Sequence, residues 1–391
     1  MKHTRILRIA LALSASLGLA RAQDIKIAHV YDKTGVLGAY AVQTQAGLMM
    51  GLEYATGGKM TVNGHKLVVI EKDNQGKPDV AKAMLESAYA DDHAALAVGP
   101  TSSGAALAML PVAEQFKKIL LVEPAVADDI TGVKWNRYIF RTGRCSSQDA
   151  VSNAIVLDKK GVYIATMAQD NAFGRDFVAA FKGAIKNAKL VHEEYLPPTT
   201  TDFTAGAQHL FDKLKDQPGR RIIFINWAGS NAFKIADLKP ERYRIEIATG
   251  GNILPALALY KPFPGLEGAA YYYYEIPKNK VNDWLVKEHM ARFKTPPDFF
   301  TAGGMAAGVA IVEALKKTKG EVGTEALIAA MEGMSFETPK GKMTFRKEDH
   351  QALQAMYHFK IKVDPAVAWA IPVLVREIKI DEMAIPIRNK R

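Results

Sequence analysis

The sequence predicts an α/β protein of two doubly wound parallel-sheet lobes. Short apolar runs rich in β-branched residues alternate with longer stretches of helical periodicity, and this alternation begins afresh after Arg144. The last third starts no further unit of equal size, so it is read as the chain recrossing to complete both sheets.

The first unit reads as strand 24–31 (DIKIAHVY), helix 40–56, strand 66–72 (KLVVIEK), helix 78–90, strand 94–98, helix 103–117 and strand 119–123 (ILLVE). The second reads as helix 147–159, strand 161–167 (GVYIATM), helix 174–187, strand 189–195, helix 203–215, strand 221–226 (RIIFIN), helix 230–238 and strand 244–249. Two such units in series predict a cleft between lobes at the carboxyl ends of the strands, where open sheets bind ligands. Beyond them lie helical patterns at 302–317 and 323–332, and strand-like runs at 343–345 and 356–363. The run Tyr271 to Tyr274 reads as a strand crossing back to the first lobe.

Residues 1–22 have the form of a secretory signal: basic Lys2, Arg5 and Arg8, an apolar stretch from Ile9 to Ala20, and Ala20-Arg21-Ala22 as a cleavage site before Gln23. The apolar stretch is shorter than the ~20 residues that span a bilayer. Gln23 offers no thiol for a lipid anchor. Every later hydrophobic run is read as broken by a charge, so no membrane insertion is expected.

The formal charge of +10 falls by four when Lys2, Arg5, Arg8 and Arg21 leave with the signal. Basic residues are scattered among acids and not clustered with aromatics, which argues against nucleic-acid binding. One cysteine, Cys145, permits no intramolecular disulfide. A GxSxG elbow, HExxH, a Walker loop and Cys/His metal spacings are all missing, so neither catalytic residues, a metal nor a cofactor are expected.

Two segments look suited to hold an anion. Val98-Gly99-Pro100-Thr101-Ser102-Ser103-Gly104 runs from a buried strand into a helix, whose first turn offers hydroxyls and free amides to a carboxylate; a plain helix cap by Ser102 or Ser103 is the competing reading. The turn Glu123 to Thr131 should face the same cleft, with backbone donors or acceptors from Ala125 to Ala127.

The chain resembles the type I periplasmic binding proteins, in the Leu/Ile/Val-binding branch of ABC-importer receptors. The resemblance is carried by Asp32-Lys33-Thr34-Gly35, VGPTSSGAALAML (98–110), EPAVADDIT (123–131), FRTGRCSSQDA (140–150), QDNAFGRDF (169–177), TDFTAGAQHL (201–210) and GKMTFRKEDHQALQAMY (341–357). It implies two lobes on a three-stranded hinge, 23–143 with 271–349 and 144–270 with 350–391. It also implies a periplasmic monomer that binds a small molecule without catalysis and delivers it to a membrane permease.

Carried over residue by residue, the resemblance places the carboxylate hydroxyl at Ser102 or Ser103, a backbone contact at Ala125, and an aromatic closing over the ligand at Tyr40. Ala127 stands where relatives often have a hydroxyl. The two acids that hold an ammonium in amino-acid receptors are replaced by Cys145, or its neighbour Arg144, and by Asn252; Phe173 replaces a tyrosine. Burying an ammonium without acceptors is costly, so an α-amino acid is disfavoured. Trp227, Phe173 and Tyr40, with Phe299 or Phe300, can wall a ring, and Asn226 or Asn252 can bond a distal hydroxyl. Arg144 reads either as a second carboxylate anchor or as a hinge salt bridge. The expected ligand is an aromatic carboxylate such as a benzoate or hydroxycinnamate. The alternatives are a receptor for branched-chain or other amino acids or amides, and a sensing subunit without transport.

Overall fold

A computed structural model describes residues 23–229 and 231–389. The stretch read as a signal, 1–22, lies outside them. Strands β1 (Ile25–Tyr31), β2 (Thr61–Val62), β3 (His65–Asp73), β4 (Leu96–Val98), β5 (Ile119–Val122) and β6 (Ile139–Arg141) form one sheet in the order β2-β3-β1-β4-β5-β6, parallel apart from the short β2. Helices α1 (Gly38–Ala55), α2 (Pro78–Ala90) and α3 (Ser103–Phe116) connect them. Because β1 lies between β3 and β4, successive connections diverge beside it and leave a crevice beyond the strand ends. β4 and β5 are buried throughout, which is why they read as unbroken apolar runs.

The second unit repeats this plan with α4 (Ser146–Leu157), β7 (Val162–Gln169), α5 (Ala172–Ala184), β8 (Lys189–Leu196), α6 (Thr204–Leu214), β9 (Arg220–Asn226), β10 (Ile245–Thr249) and the short α7 (Leu254–Leu257). Its sheet is parallel, in the order β10-β9-β7-β8. The segment read as helix 230–238 is a 3₁₀ stretch, Asn231–Leu238.

The remainder holds β11 (Glu267–Ala270), α8 (Lys280–Phe293), α9 (Phe299–Lys317), α10 (Thr324–Met331), β12 (Ser335–Thr338), β13 (Gly341–Phe345), β14 (Ala352–Leu353), β15 (Met356–Lys362) and β16 (Ile371–Ile378). β11, β15 and β16 form an antiparallel sheet beside the second lobe, and β12, β13 and β14 a small one beside the first. Tyr271 to Tyr274 do not form the expected strand: β11 ends at Ala270, and the tyrosines follow in irregular backbone with no ladder partner.

α9 also departs from the expectation that no later segment is apolar and long enough to span a membrane, since it meets both conditions. It is instead a core helix, buried along nearly its whole length and packed on α1. Glycines allow that packing: a Cβ at Gly47 would stand 2.0 Å from the Thr301 carbonyl oxygen, and one at Gly304 2.1 Å from that of Thr44. Asp298 and Thr301 form a capping box that starts α9 and so fixes Phe299 and Phe300.

Candidate functional site

The loops after the strands of both lobes enclose a cleft of about 760 Å³. Tyr40, Ser102, Ser103, Arg144, Phe173, Asn226, Trp227 and Asn252 all line it. Ala125, Ala127 and Cys145 do not. Pro124 and Val126 face the cleft in their place, and the Ala125 amide is already spent on the Pro100 carbonyl at 3.2 Å. Ala127 donates to Ser103 Oγ at 3.1 Å, and its carbonyl accepts from Arg141 at 2.7 Å. Cys145 is buried behind the wall, where desolvation pushes its thiol up to about 12.

Of the two sequence readings of the α3 N-terminus, the helix cap is present in the structure. Ser102 is the helix cap, accepting from the Ala105 amide at 3.4 Å. The amides of Thr101 and Ser102 donate to the buried Asp32 carboxylate, each at 3.1 Å. Those of Ser103 and Gly104, at the first two helical positions, donate to no protein acceptor among the described residues. Ser103 Oγ accepts from the amides of Val126 and Ala127 at 3.3 and 3.1 Å, which leaves its own proton to donate into the cleft. Ser103→Ala orphans both amides, so the melting temperature should fall by an amount matching about 1–3 kcal/mol, alongside weaker carboxylate binding by calorimetry. An unchanged melt would show that water or a neighbour already serves those amides.

Arg144 makes a salt bridge, one of the two roles the sequence offered. Its Nε donates to Asp149 Oδ1 at 2.8 Å, with both side chains largely buried. Its guanidinium carbon lies 4.9 Å from the Phe299 ring centroid, 5.4 Å from Tyr271 and 5.9 Å from Phe300. Its terminal nitrogens are bonded to no protein acceptor among the described residues, so they remain for a planar anion. Asp149, which sequence reasoning passed over, is the one acid among the lining residues; burial raises its carboxyl, and Arg144 opposes that shift. Its place five residues after Arg144, in the first turn of α4, was the available signal.

Rings supply much of the remaining wall. Trp227 packs edge-on against Phe203 at 5.0 Å, and Tyr40 against Phe300 at 4.7 Å. Phe177, Phe299 and Tyr271 also face the cleft. The Tyr40 hydroxyl bridges the lobes, accepting from the Gly229 amide and donating to Asn252 Oδ1 at 3.4 Å. Three buried polar atoms on the lining residues make no hydrogen bond within the described protein: Thr101 Oγ1, Asn226 Nδ2 and Tyr271 Oη.

A family model described as periplasmic binding protein matches residues 24–366. The chain is 25% identical over 347 residues to the leucine-, isoleucine-, valine-, threonine- and alanine-binding protein of Pseudomonas aeruginosa, covering 86% of this chain and 89% of that relative. A crystal structure of an ABC-type branched-chain amino acid transporter from Rhodopseudomonas palustris CGA009 superposes with a TM-score of 0.85 at 66% identity, over 94% of this chain and 100% of that one. A solute-binding protein of an ABC transporter from Rhodopseudomonas palustris BisB5, crystallised with 3,4-dihydroxybenzoic acid, superposes with a TM-score of 0.79 at 25% identity, over 91% and 97% of the two chains.

Proposed function

This chain belongs to the periplasmic binding protein family and is a solute-binding receptor of ABC transporters, and from that premise we propose that its solute is a small aromatic carboxylate of the benzoate or hydroxycinnamate kind. The observation that carries the proposal is the pairing of Asp149 with Arg144, because the one acid among the described lining residues already has its charge matched by a cation. The solute's anion is assigned to the α3 N-terminus, with Ser103, the Ser103 and Gly104 amides and the free nitrogens of Arg144 as donors. Its ring is assigned to the space between Trp227, Phe173 and the Phe299–Phe300 pair, with Asn226 near a distal substituent. Closure of the lobes around the solute gives the form that a permease partner recognises. The 25%-identical receptor bound to a dihydroxybenzoate supports this reading.

A second reading, a branched-chain amino acid, is favoured by the 66%-identical structure and by the Pseudomonas relative. A thermal-shift series with benzoate, 4-hydroxycinnamate, leucine and valine separates the two. A solute at one hundred times its Kd stabilises the folded state by about 2.7 kcal/mol. The aromatic acids are expected to raise the melting temperature and the amino acids to leave it in place; the reverse pattern defeats the proposal.

A further inference from the structure

Glu123, at the end of β5, is a buried acid that the solute reading leaves without a task; it is 1% exposed. The Thr142 hydroxyl donates to its Oε2 at 2.9 Å. Its Oε1 lies in a slot opened by Gly303 of α9, where a Cβ would stand 2.2 Å from that oxygen and 3.1 Å from Tyr271 Oη. The acid and the tyrosine hydroxyl therefore meet over the same bare stretch of helix. That hydroxyl is buried, bonds to nothing within the described protein, and belongs to a residue lining the cleft. A buried hydroxyl without a partner is destabilising, and on a binding wall the solute is the natural source of one.

We propose that Tyr271 is a specificity-determining contact for the solute anion, and that Glu123 behind it binds its proton more tightly when the anion is present, so that affinity falls as pH rises through neutrality. The proposal rests on the carboxylate reading above. The charges facing this pair come from every element packed against it. Arg144, next to the first turn of α4, stands 5.4 Å from the Tyr271 ring, and Lys340 of the β12–β13 turn stands 3.9 Å from it. Arg141 also acts on Glu123, and Asp149 and Tyr357 on Tyr271.

Burial raises Glu123 to about 7, against the pull of Thr142, Arg144, Lys340 and Arg141. A solute carboxylate held by Arg144 and Tyr271 draws on the same cations and adds a negative charge, so it lifts the Glu123 carboxyl further. A group whose proton is held more tightly in the complex favours binding below its free value and opposes it above. One linked proton changes Kd by at most about tenfold per pH unit.

Benzoate is the probe, since its own carboxyl stays ionised between pH 6 and 8. Titration calorimetry at pH 7 in phosphate and in Tris reads proton uptake from the difference in heat, and Kd is followed over that pH range. The parent protein is expected to take up a fraction of a proton and to weaken several-fold towards pH 8. Glu123→Gln should bind benzoate with no uptake and a flat profile. Tyr271→Phe should bind about fivefold or more weakly at every pH, while the free protein, relieved of an unpartnered buried hydroxyl, melts at the same temperature or higher. Uptake in Glu123→Gln equal to the parent's, or a pH-independent parent, overturns the proton linkage alone, and an unaltered Kd in Tyr271→Phe overturns the contact. Failure of benzoate to bind the parent, with leucine binding tightly, sinks the solute reading and this inference together.

Discussion

Gly47→Ala is expected to lower the folding free energy by about 3 kcal/mol or more, at the upper end of what overpacking costs. The added methyl would stand 2.0 Å from the Thr301 carbonyl oxygen and 2.9 Å from the Met305 amide nitrogen, and both belong to helical backbone that cannot rotate away. Relief requires α1 and α9 to separate along their length. Because α1 carries Tyr40 and α9 begins with Phe299 and Phe300, solute affinity should fall with stability. Urea denaturation followed by circular dichroism gives the comparison, with Gly183→Ala in α5 as control. A Cβ there meets nothing within 4 Å, so the change should be neutral or stabilising by about 0.5–1 kcal/mol. Equal effects at the two positions would mean that the helix contact is not the constraint described.

Arg144→Met should be at least as damaging, for an electrostatic reason. It leaves Asp149 largely buried without its cation, and breaking such a pair by removing one partner costs about 3–5 kcal/mol. Three aromatic rings lose the guanidinium at the same time. Adding Asp149→Asn should recover a good part of the stability but none of the benzoate affinity, because the donor proposed for the anion stays missing. Denaturation midpoints and titration calorimetry on the single and double variants separate the two roles. Parent-like benzoate binding by Arg144→Met would leave that arginine a structural task only.

Much of the fold was legible because parallel strands buried on both faces announce themselves as apolar runs, as ILLV of β5 does, and because helix starts carry their caps, as Ser102 does. α8 went unread since its buried Val281, Leu285 and His289 are dispersed among charged neighbours. β16 went unread since five consecutive residues, Val373 to Glu377, are exposed and no alternation survives. The tyrosine run has strong strand propensity, yet β15 supplies the ladder for β11 and the run continues beyond its end.

In the cleft, residue identity pointed to loops that border it but not to the side facing inward. Ala125 and Ala127 alternate with Pro124 and Val126, and local hydrogen bonds consume the backbone groups expected to meet the solute. The spacing from Arg144 to Asp149 was a signal, but only the fold shows that Arg144 turns back onto the first turn of its own following helix.

The bridge made by Tyr40 has a consequence for a receptor with nothing bound. Two hydrogen bonds, from the Gly229 amide and to Asn252 Oδ1, tie one lobe to the other through the protein's own groups. At about 0.5–1.5 kcal/mol each, they favour the shut shape by roughly five- to 150-fold. Such a bias sharpens capture at scarce supply, because less of the solute's own interaction energy goes into shutting the jaws. It also raises the background of shut but unloaded receptor that competes for the membrane partner, so removing the Tyr40 hydroxyl trades sensitivity for a quieter resting state.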